Sequence, residues 1–186
     1  EIYDFMGYSD LFINLLSSRI YNISRKILQV PLEIPLYFAQ NRILMQLPKN
    51  NSRTSDWHQE TFYTIPHSQK FLQCWFPLFC DSTTENGSIY ICPGSHKDGI
   101  AKSKIYNPKG RIAQVTVDSD VIKKYKPIQL EIKRGDCVIF DGRLISNKHT
   151  SNIWFFRKYF AESIFADSKT SATNLSLIHI SEPTRQ

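Results

Sequence analysis

Apolar side chains recur along residues 9–29 at Leu11, Phe12, Leu15, Leu16, Ile20, Ile23 and Ile27. Steps of three and four predict an amphipathic helix, with Ser9 or Asp10 as its cap. Pro31 and Pro35 stop it, because a ring-closed nitrogen cannot donate to the preceding turn. The texture then changes to short runs of β-branched and aromatic residues separated by turn residues. Strands are predicted at 36–47, 57–63, 70–80, 88–92, 112–117, 128–133, 136–141 and 153–162, with turns at 48–51, Asn86 and Gly87, Pro93 and Gly94, and Arg134 and Gly135. One helix followed by many short strands predicts a β-sandwich or a barrel-like roll.

Composition narrows this picture. Of 186 residues, 41% are hydrophobic and 13% aromatic, enough for one packed domain and unlike a disordered chain. The net charge is +6, but the basic residues are scattered, with loose clusters at 102–111 and 123–126 that read as solvated faces. They could draw in an anionic substrate, and no nucleic-acid reader motif accompanies them. No apolar run is long enough to span a bilayer and no signal peptide opens the chain, so neither a membrane nor a secreted setting is expected. Cys74, Cys80, Cys92 and Cys137 all lie in apolar runs without a C-x-x-C pair, which suits small buried side chains in a reduced, cytoplasmic protein.

The ends read differently from the middle. Glu1 falls inside a helical pattern, so a truncated N-terminus is expected. Residues 175–186, LSLIHISEPTRQ, resemble a translated sequencing adapter. A single domain over 1–165 is therefore expected, with 166–186 as a disordered tail, and His179 is set aside as a ligand.

The chemistry centres on Trp57, His58, Gln59 and Glu60. In a strand, residues i and i+2 share a face, so His58 and Glu60 would converge while Gln59 points away. An imidazole and a carboxylate, joined by a second His from a distant strand, form the facial triad of non-haem iron oxygenases. The same H-x-E pair also fits a wet strand face carrying two polar residues.

Its surroundings bear on that choice. WHQETFY, then QCWFPLFCDSTTENGSIYICPGSHKDG, then GDCVIFDGRL and Arg157 resemble the phytanoyl-CoA dioxygenase family in order and spacing over roughly residues 40–162, most specifically at 85–99. The resemblance implies a double-stranded β-helix, a jelly-roll of the cupin kind that is mainly β with an N-terminal helix. It implies a dioxygenase using Fe(II) and 2-oxoglutarate to hydroxylate a small organic or acyl substrate, releasing succinate and carbon dioxide. Family members usually carry H-x-D where this chain has His58 and Glu60, so the longer glutamate must fold back to reach the same position.

The resemblance also assigns the remaining site residues. The distal His of the family lies about ten residues beyond a Gly-Asp turn, here Gly135 and Asp136. Counting without gaps puts Ser146 there, whereas His149 and Ser151 repeat the family's H-x-S pattern three residues late. His149 is the third metal candidate if a bulge or loop at residues 146–148 restores its direction, since an odd shift turns a side chain to the other face. With Ser146 in that slot, the chain would be a degenerate, non-catalytic relative that binds a ligand on the same roll. Arg157 falls where the family grips 2-oxoglutarate, a role suited to a guanidinium fork. Trp75, Ser151 and Gln46 complete the expected co-substrate contacts. His96 matches a position that does not bind the metal, and is expected to hold its loop.

Overall fold

The computed structural model describes residues 2–3, 19–46, 55–63, 70–107, 113–148, 157–166 and 177–180. The first half of the expected helix, with Ser9 and Asp10, lies outside them. The described part is α1, Tyr21–Leu28. It closes as the proline spacing predicts: Gln29 turns left-handed with φ 52, and the Val30 N–H returns to the Arg25 carbonyl at 3.1 Å. The buried Arg25 guanidinium donates to the Pro31 carbonyl and to the Tyr21 hydroxyl, holding the exit of the helix.

The strands are β1 (Ile2–Tyr3), β2 (Leu36–Gln46), β3 (Ser55–His58), β4 (Lys70–Pro77), β5 (Ile89–Ile91), β6 (Ser103–Tyr106), β7 (Gln114–Val117), β8 (Ile128–Gln129), β9 (Cys137–Asp141), β10 (Ser146–Lys148), β11 (Arg157–Ala166) and β12 (Leu177–Ile180). A short helix α2, Ser119–Ile122, follows β7. One sheet runs β1-β2-β11-β4-β9-β12, a second runs β3-β10-β5-β8, and β6 with β7 forms a separate ribbon.

Period-two alternation on β4 and β9 builds the layers. Leu72, Cys74, Phe76, Cys137 and Ile139 pack under Leu28 of α1. Trp75, Val138 and Phe140 pack instead with Ile89 and Ile91 of β5, joining the two sheets. These central strands are covered on both faces, which is why they read as continuous apolar runs rather than as alternating ones. Cys74, Cys92 and Cys137 are buried among them, as their apolar context predicts, and burial pushes the Cys92 thiol up to about 11. Among the described residues no helix is long and apolar enough to cross a membrane.

Three predicted strands change. The strand predicted over 57–63 stops at His58, and Glu60–Tyr63 winds into a 3-10 turn. The run at 70–80 ends at Pro77, and 128–133 shortens to Ile128–Gln129 plus a bridge from Ser82 to Ile132. Four strands, β1, β6, β10 and β12, were not predicted. β6 is exposed throughout and β10 reads Ser-Asn-Lys, so neither carries the apolar signal of a strand; neighbouring backbone holds them. Residues Leu177–Ile180 form β12, with Leu177 paired to Phe140 and Ile180 to Cys137 along β9.

Candidate metal centre

β3 delivers His58 to the second sheet, next to β10. The residue is 8% exposed. Its Nδ1 lies 2.6 Å from the Asp56 carbonyl. A carbonyl only accepts, so Nδ1 carries the proton and donates. The Nε2 edge then faces Glu60, whose Oε1 is 3.3 Å away. A lone pair on Nε2 and a carboxylate oxygen at this separation call for a cation or a shared proton between them. Fixing the tautomer through Nδ1 is how a protein presents Nε2 to a metal. His58 and Glu60 therefore converge as expected, although the 3-10 turn rather than a continuous strand brings Glu60 round.

Gln59 lies between them, fully buried and directed away. Its Nε2 donates to the carbonyls of Gly99 at 2.9 Å and Arg143 at 2.5 Å, and its Oε1 accepts from the Ala101 N–H at 2.9 Å. One side chain thus ties the His58–Glu60 segment to two other loops. The turn after it is pinned as well. Thr61 N–H donates to Gly142 O at 3.0 Å, and the Tyr63 hydroxyl accepts from Val115 N–H at 3.0 Å.

The loop from Asp141 to Leu144 carries no chemistry that its sequence alone would assign. Its Asp-Gly pair was a turn signal. The Arg143 guanidinium forks onto Asp141, with Nε to Oδ1 at 2.9 Å and Nη2 to Oδ2 at 2.6 Å. That pair shapes the turn whose Arg143 carbonyl receives Gln59. Further along, Ile145 N–H donates to Ser95 Oγ and Cys92 N–H to Ile145 O, both at 2.9 Å. Gly94, with φ 84, supplies the left-handed step into the Ser95–Asp98 turn.

The chain then reaches β10, where Ser146 pairs directly with His58 on one side and with Ile91 on the other. His149 and Ser151 lie outside the described residues. On the other sheet, Arg157 is the register partner of Gln46, so the two residues expected to share a carboxylate are cross-strand neighbours. Trp75 is 4% exposed within the core that joins the sheets, between Val138 and Ala161 in register.

His96 is 3% exposed, and neither ring nitrogen has a hydrogen-bond partner among the described residues. Burial lowers its pKa below the usual histidine value; Arg143 and Lys97 push the same way, while Asp141 and Asp98 oppose. The folded state therefore binds fewer protons at His96 than the unfolded chain. Its contribution to stability is complete above the unfolded pKa of about 6.5 and is lost as pH falls below it. Between pH 7.5 and pH 5.5 the thermal midpoint of the unsubstituted protein should fall further than that of His96→Gln. Equal falls would show that His96 does not carry the acid sensitivity.

A family model described as "Phytanoyl-CoA dioxygenase (PhyH)" matches residues 5–152. The chain belongs to the phytanoyl-CoA dioxygenase family. Arg157 and the rest of β11 lie beyond the matched span. The phytanoyl-CoA dioxygenase domain-containing protein 1 homolog of Dictyostelium discoideum is 29% identical over 132 residues, covering 67% of this chain and 46% of that protein. Phytanoyl-CoA dioxygenase 1 of Oryza sativa subsp. japonica is 37% identical over 90 residues, 47% of this chain and 30% of that protein. The chain spans half or less of the length of these relatives. The crystal structure of EctD from S. alaskensis with 2-oxoglutarate and 5-hydroxyectoine superposes with a TM-score of 0.68 at 18% identity, covering 89% of this chain and 55% of that one. EctD is also known with bound Fe. These likenesses establish the double-stranded β-helix fold of iron/2-oxoglutarate oxygenases.

Proposed function

We propose that this domain is an Fe(II)- and 2-oxoglutarate-dependent dioxygenase that hydroxylates a small organic or acyl substrate, with succinate and carbon dioxide as co-products. The observation that carries this reading is the oriented pair: His58 Nε2 faces Glu60 Oε1 at 3.3 Å while Nδ1 is committed to the Asp56 carbonyl. Imidazole and carboxylate are donors suited to iron(II). Iron bound there supplies, with dioxygen and the keto acid, the oxidising power for C–H hydroxylation. For the third position the sequence offers His149 or Ser146.

The other roles belong to this chain's own residues. Arg157, beside Gln46 in register, anchors the distal carboxylate of 2-oxoglutarate. Ser151 adds a hydroxyl contact, and Trp75 walls the co-substrate side of the core. The ligands are small molecules, not nucleic acid or membrane, and the buried cysteines suit a cytoplasmic setting.

Succinate formation from 2-oxoglutarate should require added iron and fall at least about tenfold in His58→Ala, since even outer-shell changes at metal sites cost that much. Equal succinate release by the two proteins would refute the proposal. Ser146 opposite His58 favours a second reading, a non-catalytic module holding a carboxylate at Arg157. Calorimetry separates the two, because the module would bind 2-oxoglutarate equally well with and without iron.

A further inference from the structure

We infer that Ser146 of β10 stands beside His58 at the metal position, so that this register offers a metal one imidazole and one carboxylate. This rests on the reading of His58 and Glu60 as the metal pair.

The register carries the inference. His149 needs an odd residue inserted after Ser146, because a strand alternates faces and a shift of three reverses them. β10 inserts none. Ser146, Asn147 and Lys148 pair in unbroken succession with Ile91, Tyr90 and Ile89 of β5. The irregularity on the other side belongs to β3: Ser146 pairs with His58 but Lys148 with Ser55, so Asp56 and Trp57 of β3 oppose Asn147 alone on β10. The expected bulge is therefore present on the wrong strand to turn β10. Lys148 has also already moved past the His58 row to Ser55, away from Glu60.

The place beside His58 is taken by Ser146, which is 6% exposed. A neutral hydroxyl is a poor donor to iron compared with imidazole. The descent of the fold and the donor set of this chain therefore disagree at one corner. The predicted property is a weak metal site that a single substitution completes.

The test is anaerobic titration of Fe(II), with 2-oxoglutarate present, into the unsubstituted protein, Ser146→His, His149→Ala and His58→Ala, with circular dichroism confirming that each is folded. Ser146→His should tighten iron binding at least about tenfold, the scale on which even outer-shell changes alter metal affinity, while His149→Ala leaves it unchanged. A loss in His149→Ala as large as that in His58→Ala overturns the inference. So does a folded Ser146→His protein with no gain, and the His149→Ala arm decides the matter even if Ser146→His fails to fold. Failure of the underlying pair looks different, since His58→Ala would then bind as the unsubstituted protein does.

Discussion

Gln59→Leu is expected to destabilise the domain by about 3 kcal/mol or more, judged from roughly 1–3 kcal/mol for each buried polar group left unpaired. Leucine fills much the same volume but abandons the Gly99 carbonyl, the Arg143 carbonyl and the Ala101 N–H together. The side chain is 0% exposed, so water does not reach these groups without opening the site. Against a typical domain stability of about 5–15 kcal/mol, this is a large fraction. Gln59→Glu should be worse, because its carboxylate would face two carbonyls with no donor to offer them. Urea unfolding of the three proteins checks this. A Gln59→Leu midpoint equal to that of the unsubstituted protein would mean that the three bonds do not hold the site. The functional consequence follows from sequence adjacency: His58 and Glu60 flank the anchor, so loosening it loosens both.

Gly142→Ala is expected to be nearly as damaging, for steric rather than polar reasons. A Cβ at this position would overlap the ring of Phe71. The glycine backbone also donates to Phe71 O and accepts from Thr61 N–H, each at 3.0 Å, so it cannot retreat without breaking a bond on one side. Overpacking of this kind typically costs about 1–3 kcal/mol, and here the displaced Thr61 belongs to the turn that carries Glu60. Metal binding should therefore weaken together with stability. Phe71→Leu makes room for the added methyl, and the double variant should recover part of the loss in a mutant cycle. Additive losses in the double variant would show that the Phe71 contact is not the cause.

How far the site could be read from sequence depended on where the physical signal lay. α1 was legible at its end, because Pro31 leaves few options after Leu28. β4 and β9 were legible because both faces are buried, giving apolar runs bounded by turns. His58 and Glu60 were legible as a pair, since two steps along an extended chain and a tight turn both bring i and i+2 together. The route differed, and the 3-10 turn at Glu60 has no strong local signature. β10 was not legible. Ser146, Asn147 and Lys148 form a strand because β3 and β5 lie on either side, which is tertiary information. For the same reason the choice between Ser146 and His149 stayed open in the sequence: parity was known, but the strand holding the bulge was not. For Gln59 the sequence carries only a direction, away from the pair. Its anchoring role needs partners at residues 99, 101 and 143, all distant in the chain.

The central claim, that His58 and Glu60 form the metal pair, is tested most directly by iron affinity. Anaerobic Fe(II) titration with 2-oxoglutarate present should show binding to the unsubstituted protein that weakens at least about tenfold in both His58→Ala and Glu60→Ala, with both variants folded. Affinity unchanged in either folded variant would contradict the assignment.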